Sequence, residues 1–437
     1  MTPSFLRVTD ALTLRVCQTE KFKAGMLSVS AVLPIERESV YKTTLLLSVL
    51  RRGTEKYPTL AKLNQRLDYL FGTELSIRNF YRGDVQIIGF SAELLDAAYL
   101  PLGEDTLGEV LEVVSQILFH PRLDEDGLLD ARYVESEKQL QCDAIRAQKN
   151  NPRAYAADRC RALLYANEPC GAPVMGSEEQ IMAITPSELT AHWRSLLSNM
   201  TLDCFYVGTR TDREVASFLA DRLAVELTAE KGRASGACVS PVAPISETVR
   251  CDEALDVTQG HLILGLATGV TVCDAEYPAC MVFNEMLGAS PVSKLFVNVR
   301  EKLSLCYHCS SAYNAYKGVI LITCGLAREN RVRAEREILA QLRALAEGDF
   351  SEEELASARR SLAGAYRQIE DSPAALESFY FGRALAGSRD TMDSCHAAFL
   401  AVGREEVIAV ARAVAVNTVY YLDGTLLGGE ELCDEED

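Results

Sequence analysis

Few residues in this chain could do chemistry, and their spacing limits what that chemistry is. A zinc site on one helix needs two histidines three or four residues apart, so that both imidazoles leave one face toward the metal. The five histidines stand at 120, 192, 261, 308 and 396, so no helical pair exists. Cys306-Tyr-His-Cys309 has the C-x-x-C spacing that elsewhere marks zinc or thiol redox sites. It falls where the sequence reads as a strand, in which residues three apart face opposite sides, and no second cysteine pair accompanies it. The expectation is small residues in a sheet, with no metal role. No G-x-S-x-G elbow, P-loop or G-x-G-x-x-G is present.

The segment Leu287 to Tyr307, LGASPVSKLFVNVREKLSLCY, stands apart. A turn leads into a short helix ending near Glu301, and a strand carrying Tyr307 follows. Arg300 at the helix end and Tyr307 beside it could set a guanidinium and a phenol side by side, two donors suited to a peptide carbonyl or a developing oxyanion. The competing reading makes Arg300 a helix C-terminal charge favoured by the dipole and Tyr307 a half-buried sheet residue.

The elements that position these residues come twice. Periodicity predicts strands near 5–18 and 25–33, helices near 39–52 and 58–70, and a hairpin near 73–81 and 84–92 turned by Arg82-Gly83-Asp84. Four helices, a strand near 201–208 and a further helix follow. The stretch Thr228 to Val249, rich in Gly, Ser, Ala and Pro, reads as a linker, and after it the same order restarts. Asn79-Phe-Tyr81-Arg-Gly83 recurs as Asn314-Ala-Tyr316-Lys-Gly318, and Gly25 maps onto Gly260 with the same offset, 318 − 83 = 260 − 25 = 235 residues. Tyr41 finds a counterpart in Tyr277 with a slip of one. An internal duplication is the reading: an α+β chain of two homologous halves, 1–227 and 250–427, joined by the linker 228–249 and ending in an acidic tail, 428–437. Each half is expected to be a mainly antiparallel sheet with helices packed on one face, and the concave surface expected between them is the natural ligand site.

Composition removes other classes. With 437 residues the chain exceeds what one core holds, and a net charge of −18 repels phosphate backbones and anionic lipid. The basic stretch Arg328 to Arg336 interleaves its arginines with Glu329 and Glu335 and reads as a solvated helix face. No nucleic-acid and no membrane partner is expected. The N-terminus has no basic stretch followed by an apolar core, and no apolar run reaches bilayer length. With fourteen scattered cysteines, these features suggest a reduced, cytoplasmic setting.

The duplicated halves and the 287–307 segment resemble the insulinase and pitrilysin family of inverted-zinc-motif peptidases. Leu287, Gly288, Ser293, Lys294, Leu295, Phe296, Arg300, Glu301, Leu305 and Tyr307 fit that family's C-terminal pattern, with Lys294 in place of an arginine. Arg52-Gly53-Thr54 followed by Tyr57-Pro58 fits its N-terminal landmark. The resemblance implies the two-half fold of the LuxS and mitochondrial-processing-peptidase type. It also implies where active members hold zinc: an H-x-x-E-H motif at Thr44, Leu47 and Ser48, and, if the helix glutamate seven residues earlier is Glu137, a carboxylate at Ala144. None of these side chains can serve, so no catalytic residue, no metal ligand and no cofactor is expected. The family's two-chain members imply a non-catalytic subunit, inactive alone, that forms a heterodimer with a zinc-bearing paralogue and contributes Arg300 and Tyr307 to peptide-substrate binding. A bacterial zinc-less member of a pair associated with elongation factor P modification is the narrower resemblance. The alternatives are a peptide-binding or scaffold protein of the same fold without proteolysis, and an enzyme of unrelated chemistry.

Overall fold

The computed structural model describes residues 2–101, 104–227 and 238–424. Part of the expected linker and the acidic tail lie outside these residues. The chain forms two compact units. The first comprises Met1–Arg146, Ala172–Cys238 and Gln368–Thr391, and the second comprises Ala147–Gly171, Val239–Arg367 and Met392–Asp437. The halves read from the sequence are contiguous, whereas each unit here takes one helical segment from the other half of the chain.

In the first unit, β1 (Ser4–Thr9), β2 (Leu12–Gln18), β3 (Ala24–Pro34), β4 (Glu74–Arg82), β5 (Val85–Leu95) and β6 (Leu202–Gly208) form a sheet ordered β1-β2-β6-β3-β5-β4. Only β2 and β6 run parallel. In the second, β7 (Val249–Leu255), β8 (Gly260–Ala267), β9 (His308–Asn314), β10 (Val319–Leu326) and β11 (Ala415–Gly424) are ordered β7-β11-β8-β10-β9, with β7 and β11 parallel. Removing β1 leaves the same order and the same single parallel pair, the topology a duplication requires. The repeated motifs end equivalent strands, β4 and β9, and Gly83 and Gly318 take φ values of 57° and 58°, a left-handed turn conformation open to glycine at little cost.

The central strands explain the borrowed helices. Along β3, Leu27, Val29 and Ala31 join the main core with Leu46, Phe90 and Val110, while the alternate residues Ser28 and Ser30 are also buried. The helix Pro373–Leu385 lies on that second face. Its Glu377 accepts from Ser28 Oγ at 3.0 Å and from the buried Arg78 at 2.8 Å. The second unit repeats the arrangement with apolar contacts. Ile263 of β8 packs with Ala156 and Cys160 of the helix Pro152–Leu164, and Leu164 lies against Gly265. A central strand buried on both faces needs cover on both. The sheet therefore carries its main helices on one side, as the sequence implies, and one further helix on the other.

Candidate functional site

The helix Val40–Leu50 holds Thr44, Leu47 and Ser48, the positions to which the resemblance assigns H-x-x-E-H. Thr44, Leu47 and Ser48 recur at helical spacing, so they share a face. Leu47 is buried in the core at 2% exposure. Thr44 bonds inward: its hydroxyl donates to Val174 O at 2.7 Å and accepts from Asn79 Nδ2 at 2.9 Å. Along the helix Ala131–Ala147, Gln141 Nε2 donates to Met175 O at 2.9 Å, and Tyr81 Oη donates to Ala172 O at 3.1 Å. The loop segment 172–176 is thus strapped to three elements beside Thr44. It closes at Gly176, where a Cβ would come within 2.7 Å of Tyr41. Glu137 is engaged by Arg52, and Ala144 offers only a methyl group. The residues present do not fit a zinc ion, and no step through one is available here.

In the second unit, the helix Tyr277–Asn284 runs into a wider helical turn, Glu285–Ala289, and a second such turn spans Leu295–Lys302. Gly288 is required where these meet: a Cβ there would stand 2.8 Å from Leu295 Cδ1 and from Ser311 N. Leu295 and Val299 are fully buried and fix the inner face of the turn. That places Arg300 outward, its guanidinium carbon 4.6 Å from the centre of the Phe296 ring and its Nε 3.5 Å from Glu301 Oε1. The chain then reverses through Ser304, at φ 48°, and Leu305 N bonds back to Val299 O at 3.1 Å. Tyr307 enters the sheet one residue before β9, its N–H donating to Gly325 O at 2.8 Å. The ring is 67% exposed.

Arg300 and Tyr307 come together on the wall of one cavity of about 400 Å³, shared with Glu301, Cys306, Ala327 and Asn330. The guanidinium keeps part of its fork free of Glu301, and the phenol is open to solvent, so both remain donors for an incoming carbonyl or carboxylate.

The cavity wall also corrects the reading of Cys306-x-x-Cys309. Cys306 precedes β9, after the reversal at Ser304, so the pleat does not govern where it points. Cys309 faces its cross-strand partner Cys324 of β10, and the three sulfurs lie within 4.8 Å of one another. Sequence reasoning missed Cys324 because only strand register, which the C-x-x-C spacing does not contain, brings it in. His308 turns to the opposite face, over Gly325.

Comparison with known proteins agrees with this geometry. Residues 183–362 match the family model described as the Peptidase M16 inactive domain. YmfF of Bacillus subtilis, described as a "probable inactive metalloprotease", is 30% identical over 417 residues, covering 95% of this chain and 96% of that protein. YmxG of the same organism, described as an uncharacterized zinc protease, is 22% identical over 81% of this chain and 86% of its own length. Among solved structures, a conserved protein from Enterococcus faecalis V583 superposes with a TM-score of 0.89 at 24% identity, over 98% of this chain and 100% of that one. A peptidase M16 inactive domain from Pseudomonas fluorescens gives 0.79 at 16% identity over the same shares. With its zinc positions replaced and its two-unit fold intact, the chain belongs to the M16, or insulinase, peptidase family as one of its zinc-less members.

Proposed function

We propose that this chain is a non-catalytic subunit that pairs with an H-x-x-E-H zinc peptidase chain and supplies peptide binding to a shared chamber through Arg300 and Tyr307. The observation that carries the reading is a contrast within one molecule. The positions to which the family's zinc ligands map hold residues that cannot bind the ion, and the Thr44 hydroxyl among them is bonded internally, while two donors of the opposite unit line an open cavity. An enzyme that had simply decayed would have no reason to keep only the second set presented to solvent. In the pair, the partner's zinc would polarise the scissile carbonyl, and Arg300 and Tyr307 would donate to the substrate oxygen on which charge develops.

Coexpression with a zinc-bearing family paralogue from the same genome tests this. The expected result is a hetero-oligomer that hydrolyses peptides, with neither chain active alone and the activity lost to a chelator. Mass spectrometry of what copurifies from the host would identify the partner and report whether elongation factor P accompanies it. A chain that binds peptide but neither pairs with a zinc-bearing paralogue nor supports cleavage favours a scaffold role.

A further inference from the structure

The thiols of Cys306, Cys309 and Cys324 form a cluster that the peptide-binding reading does not use. Two come from neighbouring strands, β9 and β10, at a directly paired position, and the third from the reversal that leads into β9. Their sulfurs all lie within 4.8 Å of one another. Cys309 and Cys324 are buried at 3% and 0% exposure, while Cys306 is partly exposed and lines the cavity beside Arg300. The cluster thus has a buried floor made by the sheet, and its third member, Cys306, lines the cavity of about 400 Å³.

We propose that Cys306, Cys309 and Cys324 bind a thiophilic divalent cation of the zinc type through three thiolates, with the fourth coordination position open to the cavity. A thiolate-bound zinc stands about 2.3 Å from each sulfur, which sets sulfurs about 3.8 Å apart, so the cluster need close by only about 1 Å. Soft sulfur donors select such ions over magnesium or calcium. Three thiolates around a dication leave one net negative charge, and Arg300, which lines the same cavity as Cys306, supplies a positive charge to offset it. The thiols give up their protons when the ion binds. The site is unrelated to the family's zinc position in the first unit, and the proposal does not depend on a partner chain.

The test uses the full-length chain alone, freshly reduced and free of metal, titrated anaerobically with Cd²⁺ while the sulfur-to-cadmium charge-transfer absorption is read. Zn²⁺ competition against a chromophoric chelator supplies the affinity. The expected result is saturation at one cadmium per chain with an intensity for three thiolates. Cys306→Ser should weaken binding more than about 100-fold, since losing a mere supporting contact to a ligand costs 10–100-fold. Ser48→Ala, at the former zinc position, should leave it unchanged. Cys306 is in a loop and partly exposed, so its variant is expected to keep the wild-type melting curve. It decides the matter if the buried Cys324→Ser variant does not fold. Absence of a saturable band at one equivalent, or a band that survives Cys306→Ser, overturns the proposal. So does formation of a disulfide within the cluster in preference to metal binding when cadmium is present and reductant is withdrawn.

Discussion

The helix face at Thr44, Leu47 and Ser48 and the segment from Leu295 to Tyr307 are the two regions to which the resemblance maps a peptidase's working parts, and they differ physically. At the first, Leu47 is sunk in the core and Thr44 is bonded to Val174 O and Asn79, so the region now contributes to stability. At the second, the apolar residues Leu295 and Val299 anchor the turn while Arg300 and Tyr307 face a cavity. The contrast teaches that loss of a site can be read from where its polar groups point. Internally satisfied groups mark a position taken over by folding, whereas exposed donors on a buried frame stay available to a ligand.

If that division holds, substitutions at the first region should cost stability and those at the second should not. The largest effect is expected for Leu47→Glu, which restores the peptidase residue at that position. Without a metal or cation partner it buries a carboxylate in the core, and a loss of about 3–5 kcal/mol, the cost of an uncompensated buried charge, should appear in urea denaturation. A cost under about 1 kcal/mol would mean that the helix face is still open. Thr44→Val, nearly isosteric, leaves Val174 O and Asn79 Nδ2 without their partner and should lower stability by about 1–2 kcal/mol, whereas Thr44→Ser should be much milder. Equal effects from the two would show that the hydroxyl plays no part.

A pH effect belongs to the same region. His192 contacts the buried Thr43 hydroxyl of this helix at 2.9 Å, and burial, aided by Lys42, holds its pKa below the ordinary histidine value. A histidine depressed in the folded state binds its proton more readily when unfolded. Its contribution is therefore present above about pH 6.5 and is lost as the pH falls below that value. His192→Gln should flatten the stability curve on the acid side of pH 6.5, and an unchanged slope would remove His192 from the explanation. At the second region, Arg300→Ala and Tyr307→Phe should each change stability by no more than about 0.5 kcal/mol, as expected of exposed positions. A larger loss would make Arg300 a structural residue held by Phe296 and Glu301.

Much of this was legible in the sequence for identifiable reasons. Glycines at 83 and 318 mark turns that need a positive φ, and the motifs around them exposed the duplication. The zinc-less character was readable because no two histidines stand at helical spacing. What escaped depended on partners distant along the chain. The residue pattern does not say which sheet Pro152–Leu164 or Pro373–Leu385 covers. Cys324 is joined to Cys309 by strand register, and the strap at 172–176 is held by backbone carbonyls, which leave no trace in residue identity. The wide turns at Glu285–Ala289 and Leu295–Lys302 likewise follow from packing at Gly288, not from local preference.

The most direct measurement is peptide turnover by this chain reconstituted with its zinc-bearing paralogue, comparing wild type with Arg300→Ala and Tyr307→Phe at matched, verified assembly. If these residues hold the substrate where charge develops, each variant should slow cleavage by about 10²–10³, the range for removal of a single oxyanion donor, with the hetero-oligomer intact. Unchanged turnover in both variants would contradict the proposed role and leave the cavity without a part in proteolysis.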